Sequence, residues 1–313
     1  MSAFFHLPIS IFRRVDADAR HWQILALSGL FTLSWITSDF GTGPIYLVAA
    51  LSGALIAQML GTTGVNLKQS KPALKGFQWK SAIITALGIS VLLRASDPWI
   101  WFAAGLIGIG LKFTVRINNK HLFNPACIGI VAMMFLVGKQ AWVSPGQWGQ
   151  APLIASYAMA LAALVLSSAK RLDIALGFLG TFAAILIARA MWLGDPLAIP
   201  LHQLSSGALL IFTFFMITDP RSTPDSRLGR IIFAASVAAL AAWYIIGPNQ
   251  RGAPLMALAS LALLTPLLDR LLPATRFDWS QNTTKSEELT HEHQAYDGGS
   301  PAEPRGTNIQ PIR

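Results

Sequence analysis

Long apolar stretches separated by short polar loops organise this 313-residue chain. Ten such runs can be read, at roughly 22–37, 44–60, 81–95, 98–111, 124–138, 152–168, 172–193, 204–219, 228–247 and 253–272. They predict an all-α polytopic membrane protein with about ten transmembrane helices. Several runs fall short of the ~20 residues that a spanning helix needs, so tilted or broken helices are expected. The runs near 81–95 and 98–111 are short enough to form one re-entrant hairpin. Residues 1–21 make a short amphipathic lead with Arg13, Arg14 and Arg20 and no cleavable signal peptide. The transmembrane domain is read as 22–275. From 276 to 313 the chain turns polar, contains Gly and Pro, and loses apolar periodicity, which predicts a disordered cytoplasmic tail.

Loop charge sets the expected orientation. With the N-terminus inside, the inner segments before the tail carry fifteen Lys and Arg, and the outer loops only Arg94, Lys139 and Arg251. Basic loops stay on the cytoplasmic side, so both termini are predicted to be cytoplasmic, in a bacterial-type inner membrane.

Composition agrees with that reading. The chain is 53% apolar and only 12% charged, too apolar for a soluble protein of this length. A net charge of +9 would point to nucleic acid in a soluble protein. Here the basic residues sit between apolar runs, so membrane lipid is the expected partner and nucleic acid is not. Cys127 is the only cysteine, which excludes an internal disulfide, an iron–sulfur centre and a structural zinc site, and predicts a small buried hydrophobe. Of the six His, only His121 and His202 flank apolar runs, on opposite sides of the membrane, so no Ser-His-Asp arrangement is expected. His291 and His293 lie in the tail beside Glu287, Glu288 and Glu292, a solvated setting in which no metal site is predicted. Arg94 and Arg189 are the charged residues well inside runs, and both can snorkel to the outer surface. Gly105, Gly108 and Gly110 are embedded in an apolar run and predict close helix packing, not a nucleotide loop.

Two stretches carry candidate chemistry. In the first, Gly207 to Arg230, an apolar run ends in Thr218-Asp219-Pro220 and a loop with Arg221, Arg227 and Arg230. All four Glu lie in the last 30 residues, so the apolar body carries Asp alone, and a carboxylate at the end of a membrane helix should be paired or placed for a task. Asp219 can also be a plain helix stop, with Arg221 neutralising it. The second stretch is Lys112 to Cys127. Asn124 can cap a helix that begins with Pro125, or point its amide at the edge of a flat heteroaromatic ligand. Lys112, Arg116 and Lys120 suit lipid headgroups and topology, or a reduced anionic flavin.

Together the two stretches resemble the NqrB/RnfD family, the large membrane subunits of sodium-pumping NADH:quinone oxidoreductase and of Rnf electron-transport complexes. The resemblance rests on Phe123-Asn124-Pro125-Ala126, then Gly207, Phe214-Phe215-Met216-Ile217-Thr218-Asp219-Pro220 and Gly229-Arg230, and spans roughly residues 20–272. It implies a ten-helix bundle of two pseudo-repeats that binds a non-covalent flavin, riboflavin or FMN, with Asn124, Pro125, Thr218, Asp219, Pro220 and His121 as the implied cofactor contacts. It also implies a redox partner carrying flavin, iron–sulfur or haem. Family members carry a second FMN, esterified to the Thr of a Ser-Gly-Ala-Thr motif. The nearest string here, Ser206-Gly207-Ala208-Leu209, has Leu in that place, so no covalent FMN is expected and the chain looks like a shortened branch.

Three functions are open as alternatives. The first is a membrane electron-transfer subunit of an oxidoreductase complex, not self-sufficient as an enzyme. The second is a cofactor-free transporter or channel, in which Asp219 would be an ion or substrate ligand. The third is an assembly scaffold. The apolar runs hold no acidic residue near their centres, which counts against proton-coupled transport.

Overall fold

Proline and glycine set the ends of the helices into which the apolar runs fold. The computed structural model describes residues 19–37, 43–144, 171–250 and 252–276. After α1 (Ala19–Thr37), helix α2 (Pro44–Lys68) opens with Pro44 in its first turn. Helix α3 (Trp79–Leu92) runs into a short strand, β1 (Leu93–Ala95). Helices α4 (Pro98–Thr114) and α5 (Pro125–Val137) also begin with proline. Proline suits that first position because its missing N–H has no partner there to lose. Helix α6 (Leu172–Leu193) stops at Gly194, whose φ of 73° is the left-handed conformation that glycine adopts cheaply. Next come α7 (Ala198–Leu204), α8 (Gly207–Ile211) with a π-helical continuation (Phe212–Met216), α9 (Arg227–Ile246), α10 (Ala253–Ser260) and α11 (Leu264–Leu271).

The protein is mostly helical, and α2, α6 and α9 are each long and apolar enough to cross a membrane. Two bent pairs add to them: α7 with the Gly207–Met216 segment, at 49°, and α10 with α11, at 52°. The first pair begins before the run read at 204–219, and the second coincides with the run read at 253–272. Among the described residues this gives three spans, or five if each bent pair is one span. The run at 152–168, the amphipathic lead before residue 19 and most of the tail lie outside the described residues.

The runs near 81–95 and 98–111 form two short helices linked through β1. That strand pairs antiparallel with β4 (Ala141–Val143), in register Leu93↔Val143, Arg94↔Trp142 and Ala95↔Ala141. A second small pairing joins β2 (Arg116–Ile117) to β3 (Lys120–His121) across Asn118 and Asn119, which have φ of 50° and 61°. Two consecutive left-handed residues make the tight turn that matches the twist of a hairpin, and Asn tolerates it.

Arg94 does not snorkel. It is 8% exposed, and its Nη1 donates to the carbonyls of Ser90, Val91 and Leu93 at 3.2, 3.2 and 2.7 Å. It therefore satisfies carbonyls that the end of α3 leaves without helical partners. Arg189 is exposed and sits 3.6 Å from Asp195.

Helix backbones touch where glycine permits. A Cβ on Gly105 would lie 2.3 Å from the Ala50 carbonyl oxygen of α2, and one on Gly108 would lie 2.2 Å from that of Pro125 in α5. Gly110 faces open space, so two of the three glycines expected at a packed face are there. This contact fixes the start of α5, and with it Asn124, against α4.

Candidate functional site

The start of α5 and the end of the π-helical segment meet at one point. Asn124 caps α5 by accepting from the Cys127 N–H at 3.0 Å, as its sequence position predicts. Its Nδ2 donates 3.2 Å to the Met216 carbonyl, three residues before Asp219. In a π-helix each turn holds an extra residue, which locally widens the backbone spacing and re-aims the residues after it. Those residues here are Thr218-Asp219-Pro220.

Asp219 is held from three directions. His121 Nε2 lies 3.2 Å from Oδ2, the Ser222 hydroxyl donates to the same oxygen at 3.1 Å, and the Arg221 backbone N–H donates to Oδ1 at 3.1 Å. Burial acts to raise the carboxyl's pKa, but the bonds from His121, Arg221 and Ser222 outweigh it and hold it below the ordinary carboxylate value. The charge partner is His121. Arg221, expected from the sequence to neutralise Asp219, contributes its amide, while its guanidinium makes no bond among the described residues.

The structure thus gathers His121, Asn124 and Asp219. Thr218 turns away, its hydroxyl donating to the Phe214 carbonyl of its own helix at 2.8 Å. Pro125 and Pro220 are buried backbone pieces that place their neighbours.

Cations anchor the loop after Pro220. Lys120 Nζ lies 2.8 Å from Asp269 and 3.1 Å from Asp225, and donates to the Thr223 carbonyl at 2.7 Å. Arg171 donates to the Pro224 carbonyl at 3.0 Å. Arg230 binds Asp173 through Nε and Nη2 at 2.8 and 2.5 Å, and the Asp225 carbonyl at 2.7 Å. Lys120 is therefore an interior tie, not a headgroup residue. Sequence reasoning missed Asp173, Asp225 and Asp269. The scarcity of carboxylates that singled out Asp219 applies to each of them equally.

Two cavities border this junction. The smaller, too tight to admit a water molecule, is lined mostly by apolar side chains, with Asn124, Ser222 and Cys127 among them. The larger, about 170 Å³, is polar: Gln58, Asn66, Gln78, Lys112, His121 and Arg221 line it, with Lys75 and Arg116. Pockets that take small molecules run from ~300 to 1,000 Å³, so the larger as it stands has room for one edge of a flavin and not for all three rings. Its wall still offers hydrogen bonds. Lys112 Nζ is held by Gln58 at 3.0 Å, Gln78 at 3.2 Å and Ser81 at 3.0 Å. That leaves the Gln78 amide N–H groups and the Arg221 guanidinium free to meet a ligand, since no bond is made by either among the described residues. The cavity suits the polar edge of a flavin in its chemistry, while its volume of about 170 Å³ falls short of the whole ring system. Of the six residues that the motifs nominate, only His121 lines it.

No group of three or more His, Cys, Asp or Glu among the described residues could hold a metal ion. Cys127 is buried, with its Sγ donating to the Leu255 carbonyl.

Residues 145–278 match the family described as NQR2, RnfD, RnfE, a range that takes in Asp219 but not Asn124. Over 286 residues the chain is 28% identical to an ion-translocating oxidoreductase complex subunit, RnfD, of Alcanivorax borkumensis, covering 68% of this chain and 78% of that protein. The protein of the same description from Pseudomonas paraeruginosa is 27% identical, over 68% and 77%. The one from Vibrio cholerae is 30% identical over 145 residues, 42% of this chain and 38% of its own.

Proposed function

We propose that the chain, which matches the NQR2, RnfD, RnfE family over residues 145–278, is a membrane electron-transfer subunit that binds one non-covalent flavin, riboflavin or FMN. It relays electrons to or from a partner redox protein carrying flavin, iron–sulfur or haem. The relatives are named as subunits of an ion-translocating oxidoreductase complex, and an assembly of that kind supplies such partners. The observation that carries the flavin reading is the meeting of the two motif stretches at the His121–Asp219 pair, beside a polar cavity of about 170 Å³.

The bound flavin supplies one- and two-electron chemistry. The chain's own residues do the rest. Gln78 and Arg221 offer donors to the ring edge, and Lys112 places positive charge where a reduced ring gathers negative charge. Asn124 and Asp219 hold the two walls together: Asn124 ties α5 to the π-helical segment, and Asp219 fixes His121 at the cavity edge. No covalent FMN is expected. Leu209, in the place of the esterified Thr, is 4% exposed within α8. The fuller arrangement of ten spans with both termini cytoplasmic in an inner membrane draws on the loop charges, and the two pseudo-repeats on the family resemblance.

The visible spectrum of detergent-purified protein, before and after acid precipitation, tests the proposal. A flavin band released wholly into the supernatant supports it. A band that stays with the pellet means covalent attachment. Absence of flavin after expression with riboflavin supplied sinks the flavin reading and leaves a transporter or scaffold.

A further inference from the structure

At the end of the bundle that holds His121, the described carboxylates are all engaged inside. Asp219 meets His121, Asp225 and Asp269 share Lys120, and Asp173 binds Arg230. Four exposed cations at the same end meet no carboxylate among the described residues, and they sit on two segments. Lys71 and Lys75 lie on the loop 69–78 between α2 and α3, and Arg116 and Arg276 lie at the β2–β3 hairpin. Both segments are held in shape. The buried Asn66 amide donates to the carbonyls of Pro72, Ala73 and Lys75 at 3.1, 2.9 and 2.8 Å. Arg116 Nη2 donates to the Asn119 carbonyl at 2.8 Å, and Arg276 donates to that of Asn118, across the left-handed turn.

A loop that only keeps positive charge on one side of a membrane needs charge but no fixed shape. Here the donors of a buried asparagine go wholly to shape. The two segments also converge. Lys75 and Arg116 both border the polar cavity that His121 lines, between α2, the end of α4 and the loop after Pro220. Lipid headgroups meet a bundle at its rim, whereas this cleft opens between its helices. The cations repel one another: partial burial first, and then the charges of Arg221 and Arg276, lower the Arg116 pKa. An acidic surface laid over such a face relieves that repulsion.

We propose that this face, centred on Lys71, Lys75, Arg116 and Arg276, docks the acidic surface of a soluble redox protein, whose redox centre then comes to rest over the His121–Asp219 pair. The redox character of the occupant rests on the electron-transfer reading above, and its acidity rests on the charges alone. Electron carriers dock through small interfaces and part quickly, so charge steering governs their encounter more than buried area does. A patch of one sign on two preordered segments suits that use, because it draws the partner in and fixes its orientation.

The test places the purified full chain in nanodiscs of zwitterionic lipid and reads binding by biolayer interferometry. The probe is an acidic [2Fe–2S] ferredoxin, and basic cytochrome c is the control. Ferredoxin should bind and cytochrome c should not. Ferredoxin binding should weaken at least ~10-fold between about 0.01 and 0.1 M salt, as the screening length shrinks from ~30 to ~10 Å. Lys71→Glu/Arg276→Glu takes one cation from each segment, and neither residue lines the cavity. Its thermal midpoint and flavin content should match the wild type, while its ferredoxin binding should be at least ~10-fold weaker. No ferredoxin binding at low salt, or binding that the variant leaves unchanged, overturns the proposal. Anionic lipid that the wild type retains through purification and the variant loses, with no ferredoxin bound, assigns the face to the membrane and overturns it equally. Acid release of flavin from the same samples separates the two readings. Flavin present without ferredoxin binding defeats the docking face alone. Ferredoxin binding that the variant weakens, in protein free of flavin, upholds the docking face and defeats the flavin reading.

Discussion

His121 Nε2 lies 3.2 Å from Asp219 Oδ2, although 98 residues separate the two in the chain. Each sits at the foot of its own apolar run: His121 ends a hairpin that leads into α5, and Asp219 comes just after the π-helical segment. Their contact joins the two stretches that the sequence marks out separately.

The Asp219 carboxyl is held below its ordinary value, because bonds from His121, Arg221 and Ser222 outweigh the opposing effect of burial. A lowered carboxyl pKa contributes stability that is complete above the unfolded value, ~3.9, and is lost as pH falls through the folded one. The thermal midpoint of the wild type should therefore exceed that of Asp219→Asn at about pH 6 and approach it only below about pH 4. A gap that persists unchanged to the acid end would show that the carboxylate charge is not what matters.

Asn124→Ala removes both the cap of α5 and the bond to the Met216 carbonyl. Each is worth about 1 kcal/mol, so a loss of about 2 kcal/mol is expected in a denaturation titration. Asn124→Asp keeps the cap and loses only the donor, and should fall between. Equal losses in the two variants would place the whole effect at Met216.

Lys120→Met leaves Asp225 and Asp269 without their shared cation in a mostly buried setting. Stranding buried charge costs on the order of 3 kcal/mol, and adding Asp269→Asn should recover part of it. A Lys120→Met protein as stable as the wild type would mean that water already screens the pair.

Gly108→Ala drives a Cβ to within 2.2 Å of the Pro125 carbonyl oxygen, whereas Gly110→Ala meets nothing within 4 Å. The first should cost on the order of 3 kcal/mol or prevent folding, and the second should be neutral or mildly stabilising. Expression and detergent melting of the two variants side by side distinguish packing from a general dislike of substitution in α4.

Much of the helical framework could be read from the run of apolar residues. The run at 172–193 coincides with α6, and those at 124–138 and 228–247 match α5 and α9 within a residue or two. The features that escaped were set by contacts distant in sequence. The bends near residues 205 and 262 fall inside the runs read at 204–219 and 253–272, which apolar content alone does not divide. The three-residue strands β1 and β4 are too short to show a period and derive their order from each other. The Asn118-Asn119 turn was open to reading, as paired asparagines favour left-handed backbone. At the site, Asn124 and Asp219 stood out by residue type. The role of Lys112 did not, because its acceptors lie on α2, before α3 and within α3, brought together only by packing.

The pairing of β1 with β4 has a consequence for biosynthesis. Leu93–Ala95 gains its ladder partners only once Ala141–Val143 has left the ribosome. Until then, α3 and α4 are two short apolar helices joined by backbone whose polar groups have no strand to meet, a state that hydrocarbon penalises heavily. The insertion machinery must therefore shelter the whole segment from α3 through β4 and release it as one unit. A nascent chain arrested before residue 141 should remain extractable where one arrested after β4 does not.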